Sequence, residues 1–212
     1  MPTDAKRRPV ARRSVPSITL SKFVTDFADA LHAVDHAGPI GRSSSRVSRP
    51  GVGPLQERQA VRLAAAHLAE ADAAYAGIAS GRYPGSRLEC DLLIPGQWAV
   101  EVKMARPFSD DDRHAEHWTE GLLHPYAGKT SAVGDALKLQ SMDEALSKAV
   151  IIYGFEHATP RVPLEPAVRA FELIATQVAG VRLGKRIEQV RHALRHPAHA
   201  VVRVYGWEVR SR

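Results

Sequence analysis

The stretch "RLECDLLIPGQWAVEVKMA" (87–105) restricts the fold more than any other part of the chain. Two short apolar runs flank Pro95, Gly96 and Gln97, the composition of a tight reverse turn between strands. With those three residues as the hairpin loop, Ile94 faces Trp98. Antiparallel pairing then sets Asp91 opposite Glu101 and Glu89 opposite Lys103. Side chains alternate along a strand, so Asp91, Glu101 and Lys103 share one face, and Cys90, Leu92, Ile94, Val100 and Val102 form a core face on the other. On this reading Cys90, the single cysteine, is a small buried hydrophobe rather than a nucleophile.

Directly opposed residues hold their Cβ atoms about 4.5–5.5 Å apart, and two carboxylates at that spacing repel. A divalent cation removes the conflict. Mg²⁺ prefers hard oxygen ligands and takes one or two carboxylates from a protein while keeping several waters. Lys103, two residues beyond Glu101, then stands where it can orient a water or help to deprotonate it. A purely structural alternative is an ion-pair ladder in which Glu89 and Glu101 share Lys103.

The surrounding pattern supplies the rest of an α/β layout. Phe23, Val24, Phe27, Ala28 and Leu31 recur at helical spacing, which predicts a helix over 21–36 with Thr19 or Ser21 as cap and Gly38 as its end. "PIGRSSSRVSRPGVGP" (39–54) reads as a flexible loop. "LQERQAVRLAAAHLAEADAAYAGI" (55–78) reads as a helix, and a weak strand signal lies over 77–83. A long polar connection spans 106–130. Ser131 then caps a helix that presents Ser131, Asp135 and Lys138 on one face. "KAVIIYGFE" (148–156) is a buried strand, 163–180 and "LGKRIEQVRHALR" read as helix, and "AVVRVYGWEVR" closes as a strand. The expected fold is α/β with a mixed central sheet. The expected division is a basic N-terminal arm, helix and loop over 1–50 and one α/β domain over 51–212.

The formal net charge is +6, with Arg far outnumbering Lys. A basic balance suits a polyanion such as DNA. The single cysteine excludes an intrachain disulfide and a thiolate zinc site. No apolar run is long enough to cross a bilayer, and the basic N-terminus lacks the apolar core of a secretory signal, so a cytoplasmic protein with no membrane partner is expected.

The spacing Asp91-x(9)-Glu101-x-Lys103 on a hairpin resembles the PD-(D/E)XK nuclease superfamily, in which the restriction-endonuclease-like core is a helix, a three-stranded meander, a helix and a strand. The similarity covers roughly 53–156, with extra N- and C-terminal elements. It implies a Mg²⁺-dependent endonuclease acting on DNA, with Mn²⁺ able to substitute, of a bacterial restriction, mobile-element or repair type. Asp91, Glu101 and the carbonyl of Val102 would hold the metal. Lys103 would be the motif lysine, and Glu57 an assisting acid from the first helix. Cys90 stands where the superfamily commonly has proline. Ser131, Lys138 and Arg113 are the expected nucleic-acid contacts, and cutting both strands implies a homodimer. The alternative is a non-catalytic nucleic-acid-binding or interaction module on the same scaffold.

Other signals point to no chemistry of their own. "AGKTS" lacks the leading glycine of a phosphate loop, Leu123 standing in its place. His114 and His117 have no third ligand at metal spacing, and "RHALRHPAH" (191–199) likewise reads as a polar segment. Arg113, His114, Trp118 and Tyr126 form a candidate base-stacking loop.

Overall fold

In the computed structural model the chain is described over residues 17–38, 40–42, 48–83, 87–125, 131–142 and 146–211. The basic segment 1–16, Tyr126 and most of "AGKTS" lie outside those residues.

Helix α1 (Leu20–Ala37) starts where Thr19 accepts the Lys22 N–H and ends at Gly38. Gly38 adopts φ +84°, a left-handed conformation that favours glycine. A short antiparallel pair follows, β1 (Ile40–Arg42) and β2 (Ser48–Pro50). Helix α2 (Glu57–Ala71) is shorter than expected. A 3₁₀ turn (Ala73–Tyr75) replaces its last stretch, capped by the Asp72 side chain, and strand β3 (Ala79–Arg82) comes next. The hairpin is β4 (Glu89–Ile94) and β5 (Trp98–Ala105). Then come α3 (Glu120–Leu123), α4 (Ala132–Ser141), β6 (Ser147–Glu156), α5 (Glu165–Leu173), β7 (Arg182–Leu183), β8 (Ile187–Arg191) and β9 (Val201–Arg210).

Seven strands form one mixed sheet in the order β3-β4-β5-β6-β9-β7, with β8 also paired to β9. Strands β3, β4 and β5 run antiparallel in sequence order, whereas β5 and β6 are parallel over an eight-residue ladder. A parallel pair needs a crossover, and α4 lies within it. Both faces of the sheet are covered. Phe23, Phe27 and Leu31 of α1 and Ala60, Ala64 and Leu68 of α2 share a core with Leu92, Ile94, Val100 and Val102. The opposite face packs Val133, Ala136 and Leu139 of α4 and Phe171 of α5 against Val150, Ile152 and Trp207.

Two expectations are corrected. The segment 183–195 is not helical but holds the end of β7 and all of β8, both paired with β9. Its apolar residues Ile187, Val190 and Leu194 fall at spacings of three and four, which mimics a helix. Gly180, at φ +69°, ends the preceding turn, and the open side of β9 supplies the hydrogen bonds that a helix would otherwise make internally. The boundary near residue 50 also fails, because α1 lies in the same core as α2 and β4. Buried Asp35 in α1 accepts the N–H groups of Val52 (2.8 Å) and Arg195 (2.7 Å), so it ties the segment after β2 and the segment after β8 to the helix. Val52, expected in a flexible loop, is buried.

His199 makes this region acid-sensitive. Its ring is fully buried against His196 and Phe155, with Nε2 2.9 Å from the Phe108 carbonyl. Burial pushes its pKa down to about 4 from the 6.5 of a free histidine. A depressed folded-state value adds stability that is complete above pH 6.5 and lost as pH falls through 4. Urea unfolding should show a loss of about 2–3 kcal/mol from this group between pH 7 and pH 4. His199→Gln should flatten that part of the profile, and an unchanged slope would show that the ring is charged or solvated in the fold.

Candidate active site

The hairpin forms with the expected three-residue loop, and its register pairs Ile94 with Trp98, Leu93 with Ala99 and Leu92 with Val100. The ladder ends there, short of Asp91 and Glu101. The cause lies on the other side of β4. Ala79 of β3 pairs with Leu93, but Gly81 pairs with Cys90, so β4 holds one extra residue across Asp91–Leu92. Such a bulge twists a strand and re-aims its side chains. Cys90 is accordingly turned away from Leu92 and Ile94 and packs on the opposite face with Tyr83 and Ala99, which corrects its expected place. Burial pushes its thiol up to about 11, consistent with an inert side chain.

Beyond the bulge β5 has no backbone partner on its β4 side, and two carboxylates take that place. Asp91 Oδ2 accepts the Val102 N–H at 2.8 Å, and Glu57 Oε2 accepts the Met104 N–H at 2.5 Å. The N–H and C=O of one strand residue point the same way, so the Val102 carbonyl also faces this gap. The Lys103 ammonium lies 3.5 Å from it. Asp91 is therefore not the plain cross-strand neighbour of Glu101. It is a ladder substitute beside it, and its charge is one of the groups that disfavour ionisation of Glu101.

Glu101 and Lys103 alternate with Val100 and Val102 and face α4. The ladder of Glu89, Glu101 and Lys103 does not form. Glu89 is exposed, and Lys103 instead pairs with Asp135 of α4 at 2.8 Å. Lys138, one turn further along, sits 2.5 Å from Glu101 and 3.4 Å from Asp135. The Tyr83 hydroxyl donates a short hydrogen bond to the same Glu101 oxygen. Burial, with Asp135 and Asp91 adding to it, pushes the Glu101 carboxyl up to about 8 despite these two donors. Glu57 is raised by burial as well. Lys103 is shifted upward, because Asp135, Glu57 and Asp91 outweigh the burial that would lower it. It is thus a charged donor, fit to orient an oxygen rather than to accept a proton.

Glu57, Asp91, Glu101, Lys103, Asp135 and Lys138 all line one cavity of about 860 Å³ between α2, β3 and the hairpin. Two expected contacts fall elsewhere. Ser131 is buried and fully used as the α4 cap, accepting the Gly134 N–H and donating to the His124 carbonyl, which removes it as a nucleic-acid contact. Arg113 is exposed, pairs with Asp111 at 3.0 Å and does not line the cavity. Lys138 is held by Glu101, so contact with a phosphate requires that pair to open. Trp118 packs against the core of the α4 face, and His117 pairs with Glu120.

Tyr83 and Asp135 are site residues to which the sequence assigned no role. Asp135 carried a signal, since it shares a helix face with Lys138. Tyr83 carried none, because its contact depends on how β3 pairs with β4. Among the described residues no group of three or more His, Cys, Asp or Glu side chains is arranged to hold a metal ion, and no helix is long and apolar enough to cross a membrane. Comparison with protein-family models, curated proteins and solved structures returned no match.

Proposed function

We propose that this protein is a divalent-metal-dependent endonuclease that hydrolyses phosphodiester bonds in DNA. The observation that carries the reading is the meeting of Glu57, Asp91 and Glu101 with the charged Lys103 in one cavity, at the point where the β4–β5 ladder opens. The order of α2, the antiparallel β3–β4–β5, α4 and a β6 parallel to β5 agrees with a restriction-endonuclease-like core.

The donor set suits Mg²⁺ or Mn²⁺. It consists of hard oxygens, and it includes a carboxyl whose ionisation is opposed by burial and by two neighbouring acids. Asp91, Glu101 and the Val102 carbonyl would hold the ion. Such an ion supplies positive charge to the phosphate under attack and acidifies water beside it. Glu101 must lose its proton and release Lys138 to serve as a ligand. Lys138 then becomes free to meet a substrate phosphate. Lys103, fixed by Asp135, presents its ammonium to the attacking water or to a phosphate oxygen. Glu57 keeps one oxygen on the Met104 N–H, which fixes its orientation toward the cavity. Cutting both strands of a duplex would take two such sites, which a homodimer would provide.

A second reading has a specific observation behind it. Lys138 and Lys103 are already seated on Glu101 and Asp135, an arrangement that needs no metal and suits a scaffold that binds nucleic acid without cutting it. Supercoiled plasmid incubated with Mg²⁺ separates the two. The nuclease nicks or linearises it, and Asp91→Ala and Lys103→Ala each reduce the rate by about 10³-fold or more. Failure of the wild-type protein, in Mg²⁺ and in Mn²⁺, to cleave either the plasmid or a single-stranded oligonucleotide would overturn the nuclease reading.

A further inference from the structure

Helix α2 forms one wall of the cavity. Beyond Glu57, its Arg58, Arg62 and Ala66 fall four residues apart on one exposed stripe, and the buried apolar residues Val61, Ala65 and Ile78 also line the cavity. Among the described residues neither arginine has an ion-pair partner. Two uncompensated guanidinium groups therefore stand one turn apart in a cavity lined by the acids Glu57, Glu89, Asp91, Glu101 and Asp135, which would by themselves repel a polyanion.

We infer that this wall of the cavity takes an unpaired DNA strand, with Arg58 and Arg62 on successive phosphates and one unstacked base over an apolar floor of Val61, Ala65 and Ile78. The inference rests on the nuclease reading and names its substrate class. Three physical points lead to it. Guanidinium forks match phosphate oxygens, and a spacing of one helical turn, about 5.4 Å, is of the order of the step between neighbouring phosphates. An apolar floor gives nothing to a sugar-phosphate backbone but does favour the flat face of a base, without reading its edge. The volume falls in the range of sites for single small molecules and accommodates one nucleotide. A paired duplex would have to expel a base to fill the floor, at a cost of a few kcal/mol, whereas a single strand or frayed end offers one freely.

The test measures binding apart from cleavage. Asp91→Asn protein is titrated in Mg²⁺ with fluorescein-labelled 15-mers, one single-stranded and one the blunt duplex of the same sequence, by anisotropy. The expected result is at least tenfold tighter binding of the single strand. Arg58→Ala with Arg62→Ala should lower the slope of log affinity against log salt by about 1.4 units, as two phosphate contacts on a single strand require. Ala66→Trp, at an exposed position, should weaken single-strand binding about tenfold with an unchanged melting temperature. Equal affinity for the two DNAs, or unchanged single-strand binding by Ala66→Trp, would overturn the inference. The wild-type plasmid assay is read separately. Nicking without strand preference removes this inference alone, and strand preference without cleavage of any substrate removes the nuclease reading alone.

Discussion

Glu101→Gln is expected to abolish cleavage and at the same time to stabilise the protein above neutral pH. The two effects have one origin. Burial beside Asp135 and Asp91 lifts the Glu101 pKa from 4.5 to about 8, so the metal-free fold favours the protonated acid. A raised folded-state value adds stability that is complete below pH 4.5 and lost as pH rises through 8. Glutamine keeps an acceptor for the Tyr83 hydroxyl and carries no charge to bury, and Lys138 keeps Asp135 at 3.4 Å. Chemical denaturation at pH 9 should show Glu101→Gln more stable than the wild type by on the order of 2 kcal/mol. At pH 5 the difference should vanish. Plasmid cleavage should fall by about 10³-fold. Equal stability at pH 9 would mean that Lys138 and Tyr83 already hold Glu101 ionised at no cost. Such a trade of stability for activity is expected where a fold keeps a cation site ready.

Gly154→Ala should damage the fold itself. Gly154 lies opposite Ala105 at the end of the β5–β6 ladder. A Cβ there would stand 2.6 Å from the Ala105 carbonyl oxygen and 2.6 Å from Leu164. Leu164 can shift, but the carbonyl belongs to the strand that carries Glu101 and Lys103. The ladder must separate at that end, at a cost of about 3 kcal/mol, the upper range for overpacking. Gly96→Ala is the contrast. Gly96 adopts φ +70° in the hairpin loop with open space around it, so its cost should be only about 1 kcal/mol of backbone strain. Thermal unfolding of the two variants should rank them in that order, and equal loss would place the strain in the turn rather than the ladder.

The hairpin was legible because Pro95 and Gly96 fix the loop, and a fixed loop fixes the register from Ile94–Trp98 to Leu92–Val100. The next step was not legible. Whether Asp91 meets Glu101 across the ladder depends on the extra residue that β3 imposes on β4, and nothing within 91–103 reports it. Helix α1 was readable in full, since Thr19, Gly38 and the apolar spacing agree. Strands β7 and β8 were not, because a short amphipathic strand and a helix can share the same few apolar positions, and here the edge of β9 decided between them. At the site, Asp91, Glu101 and Lys103 were read from residue type and spacing and Glu57 from the family resemblance alone, and all four line the cavity. Ser131 shows the limit of a shared helix face. Its capping role was readable, and that same role uses up its hydroxyl.

In the proposed nuclease, Asp91 and Glu101 together hold a divalent cation. Anomalous diffraction from a crystal soaked in Mn²⁺ near pH 8 would locate that ion. A peak is expected in contact with Asp91 Oδ1, a Glu101 oxygen and the Val102 carbonyl, with Lys138 moved off Glu101. An absence of anomalous density at that place, with Lys138 still seated on Glu101, would contradict it.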